Sequence, residues 1–156
     1  MGVDTQEIKG FDELAAKLRA IAPTLRKQAL RNALAAGGRL VRDEARRNTP
    51  ILARPTSYRT PGLVRKAFSV RTSKEARRAG NVGVFVNVRR ATAGSLGAKS
   101  RLDPYYWRFL EFGTRHMPAR GMLQSGAKKL PEALRVFQAA IGKWFKRAEA
   151  SGKVVP

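Results

Sequence analysis

Apolar residues recur three and four positions apart in three stretches of this chain, and that period predicts helices. In FDELAAKLRAIA (11–22) they are Phe11, Leu14, Ala15, Leu18 and Ile21. Asp12 and Glu13 fall in its first turn, where the helix dipole favours acids. A longer stripe over 24–47 runs through Leu25, Ala29, Leu30, Ala33, Leu34, Gly37, Leu40, Val41 and Ala45. Its opposite face carries Arg26, Lys27, Arg31, Arg39, Arg42, Arg46 and Arg47. Gly37 and Gly38 weaken that helix by roughly 1 kcal/mol each relative to alanine, unless close packing requires them. A third stripe, Leu134, Phe137, Ile141, Trp144, Phe145 and Ala148, predicts a last helix over 131–150, after a short helical turn near 122–128.

The period changes to two in the middle of the chain. VGVFVNVRR (82–90) puts Val82, Val84, Val86 and Val88 on one face of a strand, and AFSVRT (67–72) reads as its partner. RRAGN (77–81) fits the turn of an antiparallel pair. Asp103-Pro104 opens a helix that runs to Phe112, with Gly113 just past its end and Pro118 blocking continuation. Its Tyr105, Tyr106, Trp107 and Phe109 are expected mainly in the core. Two segments, 51–62 and 91–101, have no periodicity and are expected as extended loops, mobile until neighbours order them. The expected fold is α+β in a single domain, 1–156: two N-terminal helices, a small antiparallel sheet, a short aromatic helix and a long C-terminal helix.

Charge adds a partner to this picture. The chain has 32 Lys+Arg against 11 Asp+Glu, a formal +21. Between Ala45 and Leu102 stand fourteen basic residues and one acid, Glu75. Such a field attracts polyanions or acidic protein surfaces, and self-repulsion weakens the fold unless something neutralises it. Arg71, Lys74, Arg77, Arg78, Arg89 and Arg90, at the ends of the two strands, are the expected basic surface. No apolar run approaches the ~20 residues that span a bilayer, so no membrane partner is expected. The start, MGVDTQEIKG, lacks the basic-then-apolar pattern of a signal peptide. There is no cysteine and one histidine, so no metal site, cofactor or catalytic group is expected.

One segment, RFLEFGTRHMPARGML (108–123), holds a carboxylate among aromatic residues. Glu111 falls in the last turn of its helix, where the dipole disfavours a negative charge. It is expected to pair with an arginine, Arg115 or Arg120 of its own chain or one from an adjacent subunit. The chemical alternative is a small hydrolase using Glu111 and His116, which lacks a second carboxylate or a metal.

The run YYWRFLEFGTRHMPARGMLQSGAKK (105–129) resembles the signature of the gene-product-ten-like family of lambdoid long-tailed bacteriophages. These are tail-completion or head–tail joining proteins, related in role to the minor tail protein Z group. Glu111, Phe112, Gly113, Thr114, Met117, Pro118, Ala119, Arg120 and Leu123 carry the motif. Thr49-Pro50, then Thr60 to Lys66, and the opening GFDELAAKLRAI extend the likeness upstream. Gly121-Met122 stands where Pro-Phe is usual, and 51–59 is an insertion. The resemblance implies a structural virion protein of the neck and tail, assembled in the host cytoplasm, with no enzymatic activity. It implies a homo-oligomeric ring, a hexamer rather than a dodecamer, between head connector and tail tube. Its partners would be head-completion or connector proteins, tail terminator or tail tube proteins, and DNA passing through the lumen. The rival expectation is a sequence-independent nucleic-acid-binding protein.

Overall fold

The computed structural model describes residues 11–19, 21–92, 96–97 and 100–151. The expectations for 1–10, and for 93–95 and 98–99 of the 91–101 loop, lie outside the described residues. In chain order the elements are α1 (Phe11–Arg19), α2 (Pro23–Arg47), α3 (Leu63–Ala67), β1 (Phe68–Thr72), α4 (Lys74–Arg78), β2 (Val84–Val88), α5 (Trp107–Phe112), α6 (Met122–Ala127) and α7 (Leu130–Ala150).

Helix α2 is the spine, because its buried stripe is made of small residues. Ala29, Ala33, Gly37 and Ala45 are its buried positions. They let other elements approach backbone to backbone. A Cβ on Gly37 would stand 2.8 Å from the carbonyl oxygen of Ala133 in α7, and one on Gly126 in α6 would stand 2.7 Å from that of Val41. A Cβ on Gly38 would stand 3.0 Å from Val70 in β1. Close packing does require the glycines, and it offsets their helix penalty.

The larger apolar residues then fill two cores, one toward each end of α2. Ile21, Ala29 and Ala33 meet Phe137, Ile141 and Phe145 of α7, with Leu14, Leu18, Leu25 and Trp144 packed around them. Near the other end Ala45, Val64, Phe68, Val88, Tyr106 and Met122 form the second core. Each large side chain fully buried contributes roughly 1.5–3 kcal/mol.

The two strands pair antiparallel, with Phe68 opposite Val88 and Thr72 opposite Val84. Both are shorter than the sequence predicts. The flanks are taken by α3 before β1 and by α4 within the connection, where Ser73 Oγ accepts the Ala76 N–H at 3.2 Å. Neither helix exceeds five residues, too short for a period of 3.6 to show.

Helix α5 starts at Trp107, not at Pro104. Residues 104–106 form a turn, with the Trp107 N–H donating to Pro104 O at 2.9 Å. Asp103 is buried, and its Oδ2 accepts the Gly97 N–H at 2.8 Å; it ties back a loop and does not cap the helix. Of the aromatic residues, Tyr106 is in the core while Tyr105 and Trp107 are half-buried. Phe109 points outward, and Phe112 is 70% exposed. The 51–62 segment folds back on itself through a Thr56–Arg59 bridge. Arg59 lies over the Tyr106 ring, 5.3 Å from its centre, and Thr60 Oγ1 donates to Arg101 O at 3.2 Å.

Candidate functional site

Glu111 is 3% exposed and closes a corner between α5 and α6. Its Oε2 accepts the Leu123 N–H at 2.8 Å and its Oε1 accepts the Gln124 N–H at 3.2 Å. These are the second and third residues of α6, the donors that an N-cap side chain ordinarily takes. The N-cap position itself is Gly121, at φ 54° and ψ 45°, a left-handed conformation closed to proline. Glu111 therefore supplies from α5 the cap that α6 lacks.

The expected pairing with Arg115 or Arg120 is not what holds it: no salt bridge within the chain involves Glu111 among the described residues. The positive end of α6 and two N–H donors take the place of an arginine. The bonds from Arg120 N–H to Leu110 O at 2.7 Å and from Gly121 N–H to Glu111 O at 3.2 Å fasten the same corner. Gly113, Thr114, Met117 and Ala119 turn the chain between them. Thr114 and Met117 form a bridge, and a Cβ on Gly113 would meet Ala119 N at 2.8 Å. Phe112, Pro118 and Arg120 face solvent. His116 is exposed, whereas Glu111 is buried and each of its oxygens accepts an N–H of α6.

The hairpin has two outer edges, and they differ. The ladder is bracketed by the Ser73 N–H to Gly83 O bond and the Arg89 N–H to Ala67 O bond, both 2.8 Å. Bonding alternates along an antiparallel pair. The backbone groups of Phe68 and Val70 on β1, and of Val84 and Val86 on β2, therefore point away from the partner strand. On the β1 side, Arg46 of α2 donates from Nη2 to Phe68 O at 2.8 Å and occupies the edge. On the β2 side the edge borders a groove of about 440 Å³. Leu34, Gly38 and Val41 form its α2 side, Val84 and Phe85 one wall, and Leu123, Leu130 and Leu134 the other. Phe85 is 42%, Leu130 54% and Leu134 41% exposed. Glu111 places Leu123 in that wall through the N–H it holds.

The six expected basic residues are all exposed, but they do not form one surface. Arg71 and Lys74 line a shallow site with Glu75 at the turn end of the hairpin, and Arg77 and Arg78 sit on α4 beside it. Arg89 and Arg90 follow the far end of β2. Arg89 instead joins Arg39, Arg42 and Arg46 of α2 and Lys66 of α3 around a groove of about 380 Å³ along β1. The basic face of α2 was visible in the sequence; its meeting with Lys66 and Arg89 was not. An adjoining groove of about 750 Å³ shares Arg46 and Lys66 and adds Arg47, Arg65 and Asp43. Asp43 is held below the usual carboxylate range, chiefly by its bond from Arg42 and then by the charges of Arg42, Arg46 and Arg47.

No group of His, Asp or Glu among the described residues could hold a metal ion, and no described helix is long and apolar enough to cross a membrane. No curated protein and no solved structure matches the chain. A family described as "Bacteriophage HK97-gp10, putative tail-component" matches residues 12–113, from α1 through the glycine that ends α5. The match takes in both edges of the hairpin and Glu111 and stops short of Thr114–Arg120. The chain belongs to the HK97-gp10-like family of bacteriophage tail components.

Proposed function

We propose that this tail component is a tail-completion or head–tail joining subunit. It closes into a homo-oligomeric ring, a hexamer rather than a dodecamer, in the neck between head connector and tail tube. The observation that carries the reading is the apolar groove beside the open edge of β2. Three large side chains there are 41–54% exposed next to strand backbone that has no partner among the described residues. An edge of that kind invites a strand from another chain. A neighbour laid along it would take up the backbone groups of Val84 and Val86 and cover Phe85, Leu130 and Leu134. One such contact, repeated between unlike faces, makes a ring if the rotation closes.

The charge sets the conditions. A subunit of +21 repels its copies. Assembly therefore occurs on an acidic or ring-shaped template among the other neck proteins, in the host cytoplasm, and ends in the virion. A rotationally analysed image of the neck tests this, made with wild-type and with Leu134→Glu subunits. The expected result is a sixfold ring in the first and particles lacking it in the second. A single copy in the neck, or a normal ring with Leu134→Glu, contradicts the reading.

A further inference from the structure

We propose that the two adjoining grooves between α2, α3 and β1 form a binding site for the phosphodiester backbone of nucleic acid. Seven cations line them: Arg39, Arg42, Arg46, Arg47, Arg65, Lys66 and Arg89, against one acid, Asp43. Three of the seven already have partners. Arg42 binds Asp43 through Nε at 2.8 Å and Nη2 at 3.1 Å. Arg47 pairs with Glu44 at 2.8 Å. Arg39, Arg65, Lys66 and Arg89 have no carboxylate within 4.0 Å among the described residues. Arg46 is set in place by Phe68 O, with Asp43 at 3.7 Å on its other side. Its guanidinium is ordered before any ligand arrives, which lowers the entropy lost on binding.

The spacing points to phosphates. Arg39, Arg42 and Arg46 share one side of a continuous helix. From Arg39 to Arg46 the helix rises about 10 Å at 1.5 Å per residue. Over that length of duplex axis each DNA strand carries about three phosphates, one per 3.4 Å of axis. Lys66 and Arg89 widen the row on the β1 side. Six of the seven cations are arginines, whose planar forks bind phosphate oxygens in pairs. An acidic protein surface has no such repeat, and the apolar ground that protein docking uses lies on the other side of the hairpin. A cleft lined by one sign of charge also focuses the field and draws a polyanion in. The contacts are to backbone alone, so the site distinguishes no base sequence. Nothing in it requires the ring.

The test uses the full chain and a short random-sequence DNA duplex, with affinity measured across a salt series. One variant carries Arg39→Gln, Lys66→Gln and Arg89→Gln. A control of equal charge carries Arg71→Gln, Lys74→Gln and Arg78→Gln. All six positions are exposed, and a thermal melt checks that both variants fold. The groove variant is expected to lose on the order of 100-fold in affinity at 0.1 M salt, with the slope of log K against log salt shallower by about 2.7. The control is expected to lose less than about tenfold. Equal losses in both variants would mean general charge attraction, and no loss in the groove variant would mean no site; either overturns the proposal. So does a groove variant that loses only its binding to polyglutamate, which would give the groove to an acidic protein. The native mass of the same samples separates this question from the ring. A wild-type chain that stays monomeric, yet loses DNA in the groove variant, supports the site while counting against self-assembly.

Discussion

β1 and β2 lie side by side in one hairpin on one helix, yet their outer edges are treated in opposite ways. The β1 edge is occupied at one point: Arg46 reaches from α2 to the Phe68 carbonyl, and the ground beside it is charged. The β2 edge is open among the described residues, and the ground beside it is apolar. The difference follows from the residues of α2 that face each side. Arg39, Arg42 and Arg46 line the groove beside β1, Leu34 and Val41 line the groove beside β2, and Gly38 lies against Val70 of β1 and Val84 of β2. A polar group without a partner and an apolar surface in water both cost free energy. On the β1 side the chain meets the first cost at the Phe68 carbonyl with its own arginine. On the β2 side it leaves both, which is why the proposed contact with a neighbour is placed there.

The contrast breaks most severely when α2 can no longer hold α7. Gly37→Val puts a branched side chain where a Cβ already meets the Ala133 carbonyl at 2.8 Å. Backbone on both sides cannot yield cheaply, so the expected loss is about 3 kcal/mol, read as a lower denaturant midpoint. An unchanged midpoint would mean that the wall of the apolar groove is not set by this packing. Next in size is Glu111→Gln. An amide accepts one N–H and turns its own NH2 toward the other, so α6 loses half its cap. The expected loss is about 2 kcal/mol, with slower assembly, again from denaturation midpoints. Stability within a few tenths of wild type would put the organising role of Glu111 elsewhere.

Arg46→Met comes third and acts on the occupied edge. It frees the Phe68 carbonyl, and because Arg46 is partly exposed the loss is about 1 kcal/mol. It should also make the β1 edge sticky, seen as concentration-dependent association by light scattering. A fully monodisperse variant would show that the arginine is not what protects that edge. The smallest effect is Asp43→Asn. The folded-state pKa of Asp43 lies below the ordinary aspartate value of 3.8, so its pairing with Arg42 stabilises above that pH and is lost as pH falls through the lowered value. Asp43 is 48% exposed, so solvent screening holds the gap to under about 1 kcal/mol at neutral pH. The gap should close in acid; one that widens would contradict the sign.

The sequence makes the long elements legible because each presents a full period to count. α2, α7 and the valine face of β2 are of that kind. The short helices α3 and α4 are not, since five residues give little more than one turn. Asp103 looked like a cap because Asp-Pro is a local signal, whereas its partner, Gly97, lies in a loop without pattern. Glu111 stands out in the sequence as a carboxylate among aromatic residues, and the structure buries it. Its partner does not stand out, because an arginine is visible by its letter while the positive end of α6 is not. A clue was present: the 122–128 turn begins after a glycine, with no Ser, Thr, Asp or Asn to cap it. A helix without a local cap calls for a remote carboxylate. The basic groove was half legible, as the arginine face of α2. Nothing local says that Lys66 and Arg89 come to meet it, because a chain reversal some twenty residues long brings them there.

The open β2 edge carries the central claim, and amide exchange read residue by residue tests it most directly. In the free chain the N–H groups of Phe85 and Asn87, bonded within the hairpin, should be protected, while those of Val84 and Val86 should exchange freely. In the assembled neck, Val84 and Val86 should become protected as well. Protection of Val84 and Val86 in the free chain, or free exchange at both after assembly, would contradict the account.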